Sequence, residues 1–150
     1  MKTFHVVPHV GVEPVSLGMT RDESREAMGA QSMPSALRGE KDLYYDNAFQ
    51  VFFDSEDRVE YIELSRNSIF TAFYKGINIH ETEVDALLDI VEEDADFDEN
   101  DPELGYSFIF PELELSLWRP IVPEDETVEE GRCFSTIGIG INGYYSERTR

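Results

Sequence analysis

Apolar residues along this chain follow two periods. Val84, Leu87, Leu88 and Val91 recur at i, i+3, i+4 and i+7, which is one stripe of an amphipathic helix. That helix is expected to begin near residues 80–82 and to end in Glu92-Glu93-Asp94. A shorter one is announced by Thr20 with Glu23, where cap and third residue can bond reciprocally as a capping box. Gly29 follows Met28 at the position favoured for a left-handed terminator. Elsewhere the pattern is short and strand-like: residues 43–45, 49–53, 59–65, 106–110, 113–118 and 134–141, with 69–74 either a further strand or an extended crossover. Asp54-Ser55-Glu56-Asp57 predicts a hairpin between two of them. Residues 31–34, 38–41, 94–105 and 120–131 read as loops.

These elements predict an α+β protein: one domain over residues 1–150, with a largely antiparallel sheet and two helices on one face. The strand connections are too short for parallel crossovers. The two halves share an order of helix, short aromatic strand, hairpin and longer strand. Leu17-Gly18-Met19-Thr20 and Lys75-Gly76-Ile77-Asn78 approach the helices alike. A tandem αβββ duplication, with repeats 1–66 and 67–150, is therefore one expectation. A single sheet whose repetition is accidental is the other.

Gly18-Met19-Thr20-Arg21-Asp22-Glu23, followed by Met28-Gly29, resembles the G-M-[ST]-x-x-[EQ]…L-G signature of the β-lactamase-inhibitor-protein-like and SmpA/OmlA (BamE-type) repeats. The match covers about a dozen residues of 150. Ala30-Gln31 stands where those families place a proline, and no lipoprotein signal precedes the motif. The resemblance implies a helical unit before an antiparallel sheet, and a sheet face that binds other proteins. It assigns no binding residue.

Charge changes the picture more than the motif does. There are 32 acidic against 12 basic side chains, a formal charge of −20 and a pI near 4.3. Such a surface repels phosphate backbones and anionic lipid, so neither nucleic acid nor membrane is an expected partner. With 41% hydrophobic and 12% aromatic residues, the acidity does not signal disorder. No apolar run is long enough to span a bilayer. The single Cys133 gives no internal disulfide framework. The N-terminus carries no apolar targeting stretch, which leaves a cytoplasmic location as the expectation.

Candidate chemistry is sparse. Asp94, Asp96, Asp98 and Asn100 alternate as a calcium loop begins, but the sixth and twelfth positions hold Glu99 and Gly105, where glycine and a bidentate glutamate are needed. Starting from Asp96 fails in the same way. His5 and His9 are separated by Pro8 and share no helical face. His80 stands beside Glu81 and Glu83 at a helix start, as an ordinary first-turn residue does. No nucleophile elbow or phosphate loop is present, and Gly138 and Gly140 alternate with isoleucine as in a strand. No cofactor, metal or enzymatic activity is expected. A carboxylate- or metal-dependent hydrolase remains the third class, resting on Asp96 and Asp98.

Strand alternation points instead to a surface. Leu113, Leu115 and Leu117 take one face; Glu112, Glu114, Ser116 and Trp118 take the other. Ile62 and Leu64 face inward, against Val59, Tyr61 and Glu63. The helix-free face would then present Trp118, Tyr61, Val59, the two bare glycines Gly138 and Gly140, and several carboxylates. Aromatic anchors and a single charge sign are parts of a recognition site. The competing reading is that Trp118 only covers the strand glycines. Thirteen of the 32 acids fall within residues 92–103 and 124–130, with no Lys or Arg among them. The expected function is that of a small acidic binding or inhibitor protein, of the immunity type that neutralises a basic nuclease-like toxin. Its expected contacts are Tyr61, Trp118, Glu112, Glu114, Asp96, Asp98 and Glu126. The alternative is a module binding a small apolar ligand among Tyr44, Tyr45, Phe52 and Phe53, without catalysis.

Overall fold

The fold is that of a computed structural model, which describes residues 2–29, 36–38 and 41–147, the side chains of 36–38 excepted. Twelve strands are described: β1 (Lys2–Val7), β2 (Gly11–Val12), β3 (Val15–Ser16), β4 (Ala36–Arg38), β5 (Lys41–Tyr44), β6 (Phe49–Phe53), β7 (Val59–Ser65), β8 (Phe70–Tyr74), β9 (Ile77–Asn78), β10 (Ser107–Phe110), β11 (Leu115–Trp118) and β12 (Thr136–Gly140). Two α-helices, α1 (Arg21–Met28) and α2 (Val84–Glu92), complete an α+β architecture. A larger sheet of seven antiparallel strands runs β10-β11-β12-β7-β6-β5-β4. A smaller one runs β3-β2-β1-β8-β9, with β1 parallel to β8.

The larger sheet is the predicted antiparallel one. The smaller sheet, with β1, β2, β3 and β9, is additional. The first half of the chain supplies a four-stranded meander, β4-β5-β6-β7, and the second a three-stranded one, β10-β11-β12. Their last strands pair at the centre, from Thr136↔Ser65 to Gly140↔Tyr61.

Alternation decides which side chains meet. Phe49, Val51, Ile62, Leu64, Ile137, Ile139, Leu115 and Leu117 project inward and are essentially buried. They join Phe4, Phe70 and the α2 stripe Val84, Leu87, Leu88 and Val91 in one apolar cluster. Phe4 links the sheets, its ring 4.9 Å from Phe49 and 5.1 Å from Phe70, both edge-on. Burying this set is the main stabilising term, at about 2 kcal/mol per large apolar side chain.

Helix α1 forms as its signals dictate. The Thr20 hydroxyl accepts from the Glu23 amide, the Glu23 carboxylate accepts from the Thr20 amide, and Gly29 terminates at φ 82°. It docks through Met28, buried in the apolar cluster, and through a polar contact. Asp42, wholly buried on the inner face of β5, accepts from Arg25 Nε and Nη2 at 2.8 Å each, and from Arg21 Nη1 at 3.4 Å. Arg21 also lies 4.2 Å over the Phe53 ring.

Three details depart from expectation. Residues 111–113 form a 3-10 turn and Glu114 takes a left-handed conformation (φ 50°), so β11 begins only at Leu115. A register shift between Phe52 and Phe53 places Val59 opposite Phe53, turning Val59 inward instead of alongside Tyr61. The loop expected over residues 38–41 is bracketed by paired strands, Arg38 opposite Lys41. Gly39, Glu40 and the loop expected over 31–34 lie outside the described residues.

Candidate partner-binding surface

The outward face of the larger sheet is covered by the chain itself. Glu114, 3% exposed, turns back and accepts from the amides of Gly143, Tyr145 and Ser146 and from the Ser146 hydroxyl. Burial opposes its ionisation, but the amides of Ser146, Gly143 and Tyr145 outweigh it and hold the carboxyl below its usual range. This clip lays residues 143–146 over β12 and β7. Tyr144 stacks on Tyr61 at 4.6 Å. The hydroxyls of Tyr61, Tyr145 and Ser116 close a triangle of 2.7, 2.9 and 3.2 Å.

Glycines are needed beneath. A Cβ on Gly138 would sit 1.7 Å from the Tyr61 hydroxyl, and one on Gly140 2.5 Å from the Tyr144 ring. An aromatic-over-glycine arrangement is present, and Tyr61 and Tyr144 supply it, not Trp118. Burial raises the Tyr61 phenol well above its ordinary value, and raises Tyr145 also.

The sheet has two ends. At one, the β10–β11 turn places Glu112 and Glu114; His9 reaches it, with Nε2 2.8 Å from the Glu112 carbonyl and Nδ1 3.1 Å from Asn142 Oδ1. At the other, β7 and β11 end and β12 begins at Thr136. Five of the eight large apolar side chains exposed among the described residues belong to segments entering or leaving the strands here: Leu104, Tyr106, Trp118, Ile121 and Val122, 37–47% exposed.

Arg119 fixes these segments. Its Nε donates to the Gly105 carbonyl at 2.8 Å, its Nη1 to the Gly131 carbonyl at 2.9 Å, and its amide to the Tyr106 carbonyl. Partial burial lowers the Arg119 pKa from its ordinary value, while Asp85 opposes the shift. The close approach of Ile121 to Gly131 leaves no room for a side chain there, since a Cβ would meet the Ile121 carbonyl at 2.1 Å.

Carboxylates surround this end. Glu83, Asp85, Asp125 and Glu126 line, with Arg119, Val122 and Arg132, a groove of about 520 Å³. Within residues 124–130 the ion pair recorded is Glu129–Arg132 at 3.9 Å. Asp125 accepts from the Thr127 amide and hydroxyl, which hold its carboxyl down. Cys133 is half-buried in an adjoining groove with Arg66, Glu81 and Glu130. Beneath it His80 is buried, its Nε2 unpartnered; burial and then the Arg66 guanidinium push its pKa down to about 4.

The seven residues expected to meet a partner are thus dispersed. Trp118 and Glu126 belong to the Thr136 end. Tyr61 and Glu114 are corrected from exposed contacts to buried parts of the C-terminal cover, because Glu114 leaves the strand and captures residues 143–146. Glu112 is exposed at the opposite end. Asp96 and Asp98 share a depression with Glu92 and Glu99 on the 94–105 loop. There the Asp98 amide bonds the Ile109 carbonyl of edge strand β10, and its carboxylate accepts from the Asn100 amide. Among the described residues no three His, Cys, Asp or Glu side chains are grouped as a metal site.

The four aromatics proposed for a small ligand divide between faces. Tyr44 and Phe53 are in the core, Tyr45 packs on Phe4 and Phe70, and Phe52 lies outward against Tyr61 and Lys41. The contribution of Leu104, Tyr106, Ile121, Val122 and the Arg119 clamp was not apparent from the sequence. The available signal was apolar residues inside otherwise acidic loops. No helix among the described residues is long and apolar enough to cross a membrane. Comparison with family models, curated proteins and solved structures finds no match for this chain.

Proposed function

We propose that this chain is a small acidic binding protein that inhibits a basic protein by covering it, as an immunity protein neutralises a nuclease-type toxin. The observation carrying this reading is the distribution of its charge. A formal −20 is gathered heavily into two loops without a single Lys or Arg, residues 92–103 and 124–130. The arginines beside the second loop are engaged internally, Arg119 by two carbonyls and Arg132 by the Val128 carbonyl and Glu129. A field of this sign speeds encounter with a cationic partner and repels anionic ones.

A cytoplasmic site of action accompanies this proposal, as does the protein-binding role implied by the resemblance of the Gly18–Gly29 segment. The test is capture from lysate by the immobilised protein at about 0.05 and 0.5 M salt, with captured proteins identified. A basic protein held at low salt and released at high salt is expected. Recovery of none, or retention indifferent to salt, overturns the reading.

A further inference from the structure

We propose that the Thr136 end of the larger sheet is the docking surface, and that its occupant is a basic protein segment presenting an apolar side chain among Lys or Arg. This rests on the functional reading above and adds to it the surface and the partner's chemistry. Leu104, Tyr106, Trp118, Ile121 and Val122 are each more than a third exposed, although the core wholly buries tyrosine and phenylalanine rings elsewhere. Concentrated exposed apolar side chains on a monomer mark an interaction site.

Their support is prearranged. Arg119 ties the 104–106 and 119–122 segments to Gly131, and Val122 Cγ2 lies 3.6 Å from the point where a Gly105 side chain would begin. Such loops lose little freedom when a partner arrives, so less of the contact energy is spent on ordering them.

Charge selects the occupant. The groove beside Val122 is lined by four carboxylates, Glu83, Asp85, Asp125 and Glu126, and its two arginines already hold carbonyl oxygens. A second copy of this chain would bring the same acids against themselves, a like-charge juxtaposition that opposes association. An anionic bilayer is repelled in the same way. A Lys or Arg side chain satisfies both parts of the surface, packing its methylenes on Val122 and its cation among the carboxylates.

The chain has one tryptophan, Trp118, so its emission reports on this surface alone. The probes are three synthetic peptides of equal length: one alternating leucine and lysine, one oligolysine, and one alternating leucine with uncharged serine. Binding is followed both by anisotropy of a dye on the peptide and by Trp118 emission. The leucine–lysine peptide is expected to bind saturably, shift the emission to shorter wavelength, and lose at least tenfold in affinity at 0.5 M salt. Val122→Asp is expected to weaken it at least tenfold, and Val10→Asp, at another exposed apolar position, to leave it unchanged; circular dichroism checks that both variants fold. Salt-sensitive binding with unshifted emission and no effect of Val122→Asp overturns the docking surface while sparing the functional reading. Equal binding by the leucine–serine peptide makes it an apolar-ligand site and overturns the proposed partner chemistry. A shift that appears on raising the protein's own concentration assigns the surface to self-association and overturns it. If neither lysine peptide binds, the surface and the functional reading fall together.

Discussion

The outer sheet face and the Thr136 end are built from similar materials and finished in opposite ways. Each has tyrosine or tryptophan, close-packed glycines and an acidic residue turned towards the backbone. On the sheet face the acid, Glu114, captures residues 143–146, and the tyrosines spend their surface on glycine and on one another. At the Thr136 end the captured carbonyls belong to the loops and the capturing group is Arg119, so the apolar side chains are left outward. The lesson is that an outward aromatic next to strand glycine marks an interface only when nothing in the same chain returns to cover it. Strand periodicity tells which way a side chain points and is silent about what lies above it.

Breaking the cover should produce the largest effect. Glu114→Ala leaves the part-buried Gly143, Tyr145 and Ser146 amides without their acceptor, where a fully buried unsatisfied donor would cost about 1–3 kcal/mol. A loss of about 3 kcal/mol in urea denaturation is expected, about 1 kcal/mol for each part-buried donor, with Tyr61 becoming accessible to modification. The pH dependence has a definite sign. The Glu114 carboxyl is held below its unfolded value, so its contribution is complete above pH 4.5 and disappears as pH falls through the folded-state pKa. The variant should therefore show a flatter acid limb. A loss under 1 kcal/mol means that the clip is ornamental.

Gly138→Ala tests the cover from below. The added methyl must displace a tyrosine hydroxyl held by two partners, and overpacking of this kind costs about 1–3 kcal/mol. About 2 kcal/mol is expected, with unchanged affinity for any ligand of the Thr136 end. Coupled loss of binding would make the two regions one.

How much of this could be read in advance depends on whether the cause was local. Strand β6, strand β7 and helix α2 are encoded by periods within their own few residues, and α1 by a capping box spanning Thr20 to Glu23. Strand β1 has only Phe4 and Val6 as inward positions, and its parallel partner β8 lies 68 residues on, Phe4 opposite Ala72; such a pairing leaves no trace in a short window. The candidate surface was divided likewise. The outward exposure of Trp118 and of Glu126 was legible because alternation and loop charge are local. Tyr61 pointed outward as expected, but its cover depends on Glu114 reaching an αL conformation and then amides about thirty residues on. The inward turn of Val59 depends on a single register shift.

Acid should distinguish the two ends further. His80 lies beneath the Thr136 end with a pKa near 4 against an unperturbed 6.5. The folded state resists a proton that the unfolded chain accepts, so stability falls as pH drops from 6.5 towards 4. The slope reaches at most about 1.4 kcal/mol per pH unit for one proton. His80→Asn is expected to flatten the curve in that window and leave the Glu114 limb below it intact. An unchanged slope means that His80 is not the group responsible.

The smallest expected effect bears most directly on the comparison. Trp118 is 41% exposed and no hydrogen bond or ring contact holds its indole among the described residues. Trp118→Ala should change stability by no more than about 0.5 kcal/mol, the range of ordinary surface substitutions, measured by circular dichroism during urea titration. Tyr61→Ala, of the same chemical kind but under the cover, should cost about 3 kcal/mol or more as a buried aromatic truncation. If both lose stability equally, Trp118 is packed as Tyr61 is, and the Thr136 end is a second covered surface. If Trp118→Ala is silent in stability while partner binding weakens, the difference between a sheet face that has found its own cover and an end that awaits one is upheld.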